Sequence, residues 1–208
     1  MTKQERLALI TQGLEQTYPD ADCSLEYRDP WQLLVSAILA TQCTDKRVNM
    51  VTPALFERYP TVYDAAAADE EELMGYIRST GFYNHKARNI IGAAQRICSV
   101  FGGNVPDNID DLVSLPGVGR KIANLIVGDV YKRPAIVVDT HCKRLTYRMG
   151  LTKNTDPVKI EMDLWKIVPK DYSSKFCHQL VLLGREFCTA RGPRCGVCPV
   201  QAGCKQSI

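Results

Sequence analysis

The chain has 208 residues, 45% of them apolar, which is enough to bury a substantial core in one domain or two lobes. Its formal net charge is only +3, which excludes a uniformly polycationic protein, so any nucleic-acid surface must come from local clustering of basic residues. The first 19 residues lack the uninterrupted apolar core of a signal peptide, and no later run is long enough to cross a bilayer, so we expect a cytoplasmic protein without a membrane segment.

The N-terminal part of the chain has helical periodicity. Residues 2–17 carry apolar residues at three- and four-residue spacing, which predicts an amphipathic helix. Pro30 then opens an almost wholly apolar segment, which predicts a buried helix. Thr44 is a suitable N-cap for the next helix, and Pro53 predicts that a further helix begins there.

The middle of the chain contains helices punctuated by glycine. Residues 61–80 are alanine-rich and then acidic, which predicts a helical stretch that Gly81 ends. Phe82 and Tyr83 follow in a glycine-led loop, where they either stack on nucleic-acid bases or simply pack against the protein. A long basic helix is predicted from there to Phe101.

Residues 115–140 contain the most informative pattern. The segment 115–119, LPGVG, is a tight turn, because proline fixes φ and glycine permits the positive φ that a sharp reversal needs. Apolar residues at helical spacing predict a helix from Arg120 to Tyr131. The unpaired backbone N–H groups at its start, together with the positive end of the helix dipole, form a potential phosphate site.

Two ionisable side chains stand out in this segment. Lys121 lies in the first helical turn, where a cation is electrostatically unfavourable, so it either contacts a phosphate or is kept neutral for use as an amine. A Walker-type nucleotide loop does not fit, because Arg120 and Ile122 flank this lysine. Asp139 follows a buried apolar run and is either catalytic or the cap of a helix over residues 140–149, with the cap favoured.

The C-terminal part begins with two further predicted helices, at residues 156–168 and 172–187. No strand alternation occurs anywhere in the sequence, so the predicted fold class is all-α. Nine cysteines in a reducing compartment argue against a disulfide framework. Four of them are close together, and their spacing fits either one zinc ion or one iron–sulfur cluster. These four are Cys188, Cys195, Cys198 and Cys204.

The LPGVGRK hairpin, the VDTH segment at 138–141 and the four-cysteine pattern together resemble the helix-hairpin-helix-GPD DNA glycosylases, specifically their endonuclease III branch. The resemblance implies that Lys121 is the nucleophile and Asp139 the catalytic carboxylate. It also implies that the four cysteines hold a 4Fe-4S cluster. A lysine at this position of the family's pattern implies that base removal is coupled to strand cleavage.

The resemblance also implies a two-lobed architecture, in which a six-helix domain is inserted into a helical iron–sulfur cluster domain. The six-helix domain corresponds to residues 22–132, with the helix-hairpin-helix at about 108–132. The cluster domain corresponds to residues 1–21 plus 133–208, with its cluster loop at 188–204.

Two loops match family segments that enter DNA. Gln42 matches the glutamine that occupies the space of an extruded base in the family's LLSAQATD segment. Phe82 replaces the wedge leucine of the family's GLYNxKA loop, which leaves a bulky apolar wedge of different shape. After VDTH, Lys143 departs from the family's pattern and is spaced to pair with Asp139. His141 is predicted either to contact a base edge or phosphate or to pack. The predicted DNA-binding residues are Gln42, Phe82, Gly117, Gly119, Arg120, His141, Arg144 and Arg191.

The function implied by the resemblance is base excision repair. A DNA N-glycosylase would remove damaged bases, oxidised pyrimidines in particular, and an associated AP lyase would cut the strand by β-elimination through a lysine Schiff base. The expected partner is double-stranded DNA with a damaged base or an abasic site, bound by a monomer in the cytoplasm at the nucleoid. Two alternatives stay open: a non-catalytic DNA-binding protein whose iron–sulfur cluster senses redox state, and a lyase that acts only on abasic sites.

Overall fold

The computed structural model describes residues 1–206, and this range contains helices and turns but no strand. The all-α prediction is therefore confirmed. None of the helices within the described range combines the length and apolar character needed to span a bilayer. The α-helices are α1 (Lys3–Thr17), α2 (Pro30–Leu39), α3 (Asp45–Arg58), α4 (Val62–Ala66), α5 (Glu70–Ile77), α6 (Tyr83–Val100), α7 (Ile109–Val113), α8 (Arg120–Asp129), α9 (Thr140–Arg148), α10 (Pro157–Trp165) and α11 (Ser173–Glu186).

The chain divides into two compact units. One unit is Ser24–Lys132, which contains α2 to α8. The other is formed by Met1–Cys23 together with the chain from Arg133 onward, and it contains α1 and α9 to α11.

Helix α2 is the centre of the Ser24–Lys132 unit. It is buried along almost its whole length and packs against α3, α6 and α8. The Asp29 carboxylate caps it by accepting a hydrogen bond from the Gln32 backbone N–H at 2.8 Å. Pro30 occupies the first helical position, where a missing N–H carries no penalty. The predicted buried helix is therefore confirmed.

Helix α3 differs from the sequence prediction at its middle. Thr44 caps α3 as predicted, but the prediction of a new helix at Pro53 is wrong, because α3 continues through this proline. Val48, Thr52 and Leu55 are all buried on one face of α3. Burial of this continuous face outweighs the roughly 3 kcal/mol that an internal proline costs a helix.

The predicted helical stretch at 61–80 consists of two helices and a 3₁₀ turn. Thr61 and Asp69 each accept a hydrogen bond from the backbone N–H three residues later, so each begins a new helix, α4 and α5 respectively. The 3₁₀ turn Arg78–Thr80 follows α5. Gly81 then takes a φ of +70° and ends the stretch, as predicted.

In the other unit, an extended segment leads into α9 and carries Asp139 at its end. Ala135 donates its backbone N–H to the Ser173 hydroxyl at 3.1 Å, and Val137 donates to the Cys177 sulfur at 3.3 Å. Both acceptors lie on α11. The buried apolar run is therefore fixed to α11, and this contact determines where Asp139 is held.

Candidate active site

The turn between α7 and α8 has the tight geometry that the sequence predicts. Gly117 has a φ of +76°, and a Cβ atom at this position would lie 2.7 Å from the Cβ of Asn89. Both constraints require glycine. Pro116 packs over Gly92 of α6, where an added Cβ would be 3.2 Å from the proline Cγ. The hairpin turn is thus held closely against α6.

The first turn of α8 is open above Gly119. This residue is the N-cap of α8 and provides no side-chain cap, and a Cβ added to it would meet nothing within 4 Å. The first four N–H groups of a helix have no intrahelical acceptor. The start of α8 therefore leaves room for an anionic group to approach the backbone, as the predicted phosphate site requires.

Lys121 is the second residue of α8, and its side chain is exposed. Within its own unit, which the structure describes throughout, its ammonium group forms neither an ion pair nor a hydrogen bond. A lysine that is not tied to a carboxylate is accessible for either of the two predicted roles, phosphate contact or nucleophilic amine.

Asp139 is half-buried and caps α9. Its Oδ1 accepts a hydrogen bond from the backbone N–H of Cys142 at 2.7 Å. Among the described residues of the same unit, its Oδ2 accepts no hydrogen bond. The cap predicted from the sequence is confirmed, and it leaves one carboxylate oxygen available for chemistry.

Lys143 contacts Asp139 through the backbone. The Lys143 N–H donates to the Asp139 carbonyl oxygen at 2.9 Å, as an ordinary helical bond. The described residues contain no ion pair between the two side chains. The Lys143 side chain is exposed instead, because its position on α9 directs it to solvent.

His141 and Arg144 are engaged inside their own unit. The Arg144 guanidinium donates to the carbonyl oxygens of Gly184 and Cys188, at 3.2 Å and 3.0 Å from Nη2. The same Nη2 lies 3.2 Å from His141 Nδ1. A Cβ atom on Gly184 would be 2.3 Å from that histidine nitrogen, so the imidazole packs closely on α11. These contacts favour packing for His141, while a DNA contact by either residue stays a prediction.

Gln42 and Phe82 share an unusual backbone. Both have positive φ, 54° and 50° respectively, although neither is glycine. Both side chains are exposed, and Phe82 shows 62% of its surface to solvent. Left-handed backbone costs a non-glycine residue about 1–2 kcal/mol, and residues strained in this way cluster at functional sites. The structure thus presents both residues as projecting loop side chains.

Lys86 is the lysine of the segment that matches the family's GLYNxKA loop, but the sequence indicates no role for it. Lys86 lies on the buried face of α6 together with Ala87, Ile90 and Ala94, and only 4% of its surface is exposed. The signal in the sequence is the helical period itself, because a lysine occupies a position that the apolar pattern assigns to the core.

The four C-terminal cysteines line one small cavity. The remaining lining is largely apolar and includes Met149, Leu183, Phe187 and Val200. Burial is the main cause that raises the pKa of the Cys198 and Cys204 thiols, and the neighbouring thiols of the set raise these pKa values further. Mutually interacting thiols in an apolar cavity fit a group that binds four thiolates.

The sulfur atoms also receive hydrogen bonds. Arg148 Nη1 donates to the Cys188 sulfur at 3.4 Å and to the Thr189 carbonyl oxygen at 2.8 Å. The Gln206 backbone N–H donates to the Cys204 sulfur at 3.3 Å. Such bonds stabilise negative charge on sulfur and therefore suit ligated thiolates. Arg191 is exposed in the same loop, where its predicted DNA contact stays untested.

Helix α1 supports the cysteine loop. Arg6 donates a hydrogen bond from Nη1 to the carbonyl oxygen of Gly203 at 2.8 Å. A Cβ atom on Gly13 would lie 2.3 Å from the Pro199 carbonyl oxygen, so helix and loop backbones touch. The N-terminal helix and the C-terminal cysteines therefore belong to one packed unit.

Two family models match the chain. The model for the HhH-GPD superfamily base excision DNA repair protein matches residues 35–170. The model for the iron-sulfur binding domain of endonuclease III matches residues 188–204, a segment that begins and ends at cysteines of the cavity.

Curated relatives and solved structures agree with these matches. Endonuclease III of Synechocystis sp. is 47% identical over 98% of this chain and 93% of its own length. Endonuclease III of Bacillus subtilis is 42% identical over 91% of this chain and 87% of its own length. A trapped covalent endonuclease III–DNA intermediate matches with a TM-score of 0.93 and 40% identity, over 99% of this chain and 97% of that chain. A thermostable thymine-DNA glycosylase, 22% identical with a TM-score of 0.85, covers 97% of this chain and 96% of that chain and shares the fold.

Proposed function

The chain belongs to the HhH-GPD superfamily of base excision DNA repair proteins, and within it to the endonuclease III family of DNA glycosylases with AP lyase activity; we propose that it excises oxidised pyrimidine bases from duplex DNA in the cytoplasm, at the nucleoid. We further propose that Lys121 and Asp139 carry the reaction. The observation that supports this assignment most strongly is the exposed Lys121, which forms no ion pair within its unit and follows an open helix N-terminus.

In the proposed first step, Lys121 acts as a neutral amine. Its Nζ forms a bond to the sugar C1′ atom of the damaged nucleotide as the bond from C1′ to the base breaks, and the base leaves with the electron pair and is protonated. Asp139 acts through the carboxylate oxygen that the helix cap leaves available. This oxygen stabilises the positive charge that develops on the sugar or accepts the proton of the Lys121 ammonium.

The proposed second step is strand cleavage. Opening of the sugar ring gives an imine between Lys121 and C1′. Loss of a C2′ proton then expels the 3′ phosphate by β-elimination, and water hydrolyses the imine to regenerate the amine. Gly117 and Gly119 would hold a DNA phosphate against the hairpin backbone during both steps, and Arg120 would add a charge-assisted contact.

The two units correspond, in this proposal, to the two domains of the family. Ser24–Lys132 would be the helix-hairpin-helix domain, and the remainder would be the iron–sulfur domain. The protein carries the family's 4Fe-4S cofactor, and we propose the four cysteines of the cavity as its ligands. When bound, the cluster would supply cross-links between four points of the C-terminal chain, which stabilise this unit directly.

The test is a panel of duplex oligonucleotides, each with one defined lesion. It includes oxidised pyrimidines, a preformed abasic site and the undamaged sequence. Release of oxidised pyrimidines followed by strand cleavage would support the proposal. Cleavage at the abasic site alone would favour the lyase alternative, and binding without cleavage of any substrate would favour the non-catalytic redox-sensing alternative.

A further inference from the structure

Lys86 joins two separate parts of the Ser24–Lys132 unit. Its Nζ donates to the Leu39 carbonyl oxygen at 2.8 Å and to the Thr80 carbonyl oxygen at 2.9 Å. Leu39 is the last residue of α2, and Thr80 is the last residue of the 3₁₀ turn. One ammonium group therefore connects the C-terminal ends of two helical segments that are 41 residues apart in sequence.

The site around the Lys86 ammonium holds a buried cation with carbonyl groups instead of a carboxylate. Burial lowers the pKa of the Lys86 ammonium, and the nearby Cys43 thiol partly opposes this shift. Within this fully described unit, no carboxylate pairs with Lys86. Carbonyl groups at the end of a helix lack intrahelical donors and carry partial negative charge, so two such ends satisfy one buried ammonium.

The two carbonyl groups immediately precede the two projecting loops. Leu39 stands three residues before Gln42, and Thr80 stands two residues before Phe82. Gln42 and Phe82 have the left-handed backbone described above, which requires support from neighbouring structure. Lys86 reaches these positions because helical side chains point towards the helix N-terminus, and α6 begins directly after Phe82.

We propose that Lys86 is a positioning residue that fixes the separation of Gln42 and Phe82, so that both side chains enter the DNA duplex together when a nucleotide is extruded. The inference rests on the proposed function and on the expectation, from the resemblance of their loops to family segments, that Gln42 and Phe82 enter the DNA. It adds that the two loops act together, because the buried Lys86 ammonium, rather than either loop alone, sets the distance between Gln42 and Phe82.

Removal of the ammonium would affect both loops at once. An apolar side chain at position 86 leaves the Leu39 and Thr80 carbonyl groups buried without a donor, which favours local movement of the backbone towards water. Movement of either loop changes the distance between the two inserted side chains. Extrusion of a paired base requires that its place in the stack be filled, whereas a lesion in a single strand needs no such filling.

The test compares Lys86→Met with the wild type on one oxidised pyrimidine, placed either in a duplex or in a single strand. Methionine keeps an unbranched side chain and removes the donors. We expect base release from the duplex to fall roughly tenfold, as removal of a buried charged donor predicts, and release from the single strand to change by less than about twofold. The matched control is Ile97→Val, a buried change near the far end of α6, which should leave the ratio of the two rates unchanged.

A double substitution tests whether Lys86 acts through the loops. If it does, Lys86→Met should add little to the duplex defect of Phe82→Ala, because the positioned side chain is already absent. Fluorescence of 2-aminopurine placed opposite the lesion gives a direct readout, since it reports unstacking and should rise less with Lys86→Met than with wild-type protein.

The outcomes separate the inference from the proposed function. If wild-type protein releases the lesion but Lys86→Met lowers both rates equally, or its defect multiplies with that of Phe82→Ala, the positioning role is wrong. If wild-type protein releases the lesion from neither substrate, the proposed function itself fails. Should Lys86→Met not fold, Lys86→Gln takes its place; glutamine is neutral and shorter but retains two N–H donors. Its rate of base release from the duplex should then fall relative to its rate from the single strand.

Discussion

The Asp139 carboxylate accepts a hydrogen bond from the backbone N–H of Cys142 at 2.7 Å. One side chain therefore caps α9 and carries the charge proposed for catalysis. Substitution by asparagine separates the cap from the charge, because asparagine is as good an N-cap as aspartate but is neutral. We expect Asp139→Asn to retain the stability of wild type and to slow base release.

Alanine at the same position removes the cap as well as the charge. Asp139→Ala should therefore lower the free energy of unfolding by about 1 kcal/mol, in addition to slowing base release. Chemical denaturation and single-turnover base release, measured on both variants, check this prediction. Equal destabilisation by asparagine and alanine would contradict the cap, and full activity of Asp139→Asn would contradict the catalytic role.

The two hairpin glycines, Gly117 and Gly119, differ in how well their positions tolerate a larger side chain. Gly117 has positive φ, and a Cβ added to it would lie 2.7 Å from the Cβ of Asn89, so Gly117→Ala should destabilise the protein by at least about 1–2 kcal/mol. Gly119 has a φ of −92° and open space above it, so Gly119→Ala should cost less than about 1 kcal/mol. Thermal unfolding of the two variants compares these costs.

DNA affinity provides the complementary measurement at the hairpin. A methyl group at position 119 lies over the first turn of α8, where the proposed phosphate contact occurs. Gly119→Ala should therefore weaken duplex binding several-fold while leaving the fold intact. Unchanged affinity, measured by a fluorescence anisotropy titration at fixed salt, would show that no phosphate approaches this turn.

If the four cysteines of the cavity bind the iron–sulfur cluster, the stability of the unit that contains them should depend on that cluster. Cys198→Ser should lower the bound iron and sulfide and destabilise the cysteine loop, because a ligand of a structural cluster contributes folding free energy. Cys98→Ser is the control, since Cys98 lies on α6, in the other unit. Iron and sulfide analysis of anaerobically purified proteins checks the pair. A Cys198→Ser protein with full iron and sulfide content would contradict this ligand assignment.

Much of the fold follows from local sequence signals. The helices that begin at Pro30 and after Thr44 were predicted because their start signals are side chains acting on adjacent backbone. The prediction of a helix start at Pro53 is wrong because burial of one face of α3, a tertiary property, outweighs the local preference of proline. The contacts of Lys86 do not follow from the GLYNxKA match that contains it, because its partners are backbone carbonyl groups, which a side-chain motif does not specify.

The candidate active site likewise combines features that local motifs indicate with long-range contacts that they do not. The catalytic roles of Lys121 and Asp139 are predicted from their motifs, and the helix cap formed by Asp139, which follows from local spacing, is confirmed. The contacts of Arg144 with Gly184 and Cys188 could not be predicted, because they join residues at least 40 positions apart. Long-range contacts of this kind depend on how helices pack, and the sequence motifs contain no direct record of it.

Borohydride trapping shows directly whether the Lys121 amine bonds to DNA during turnover. Borohydride reduces an imine to a stable amine, so wild-type protein should form a covalent complex with duplex DNA that contains an oxidised pyrimidine or an abasic site. Lys121→Gln should lose this cross-link and strand cleavage but still bind DNA, because the hairpin backbone is unchanged. Lys143→Gln, which removes another exposed lysine, should still cross-link. Lys121 is not the nucleophile if wild-type protein binds such DNA without cross-linking. It is equally excluded if Lys121→Gln cross-links as well as wild type.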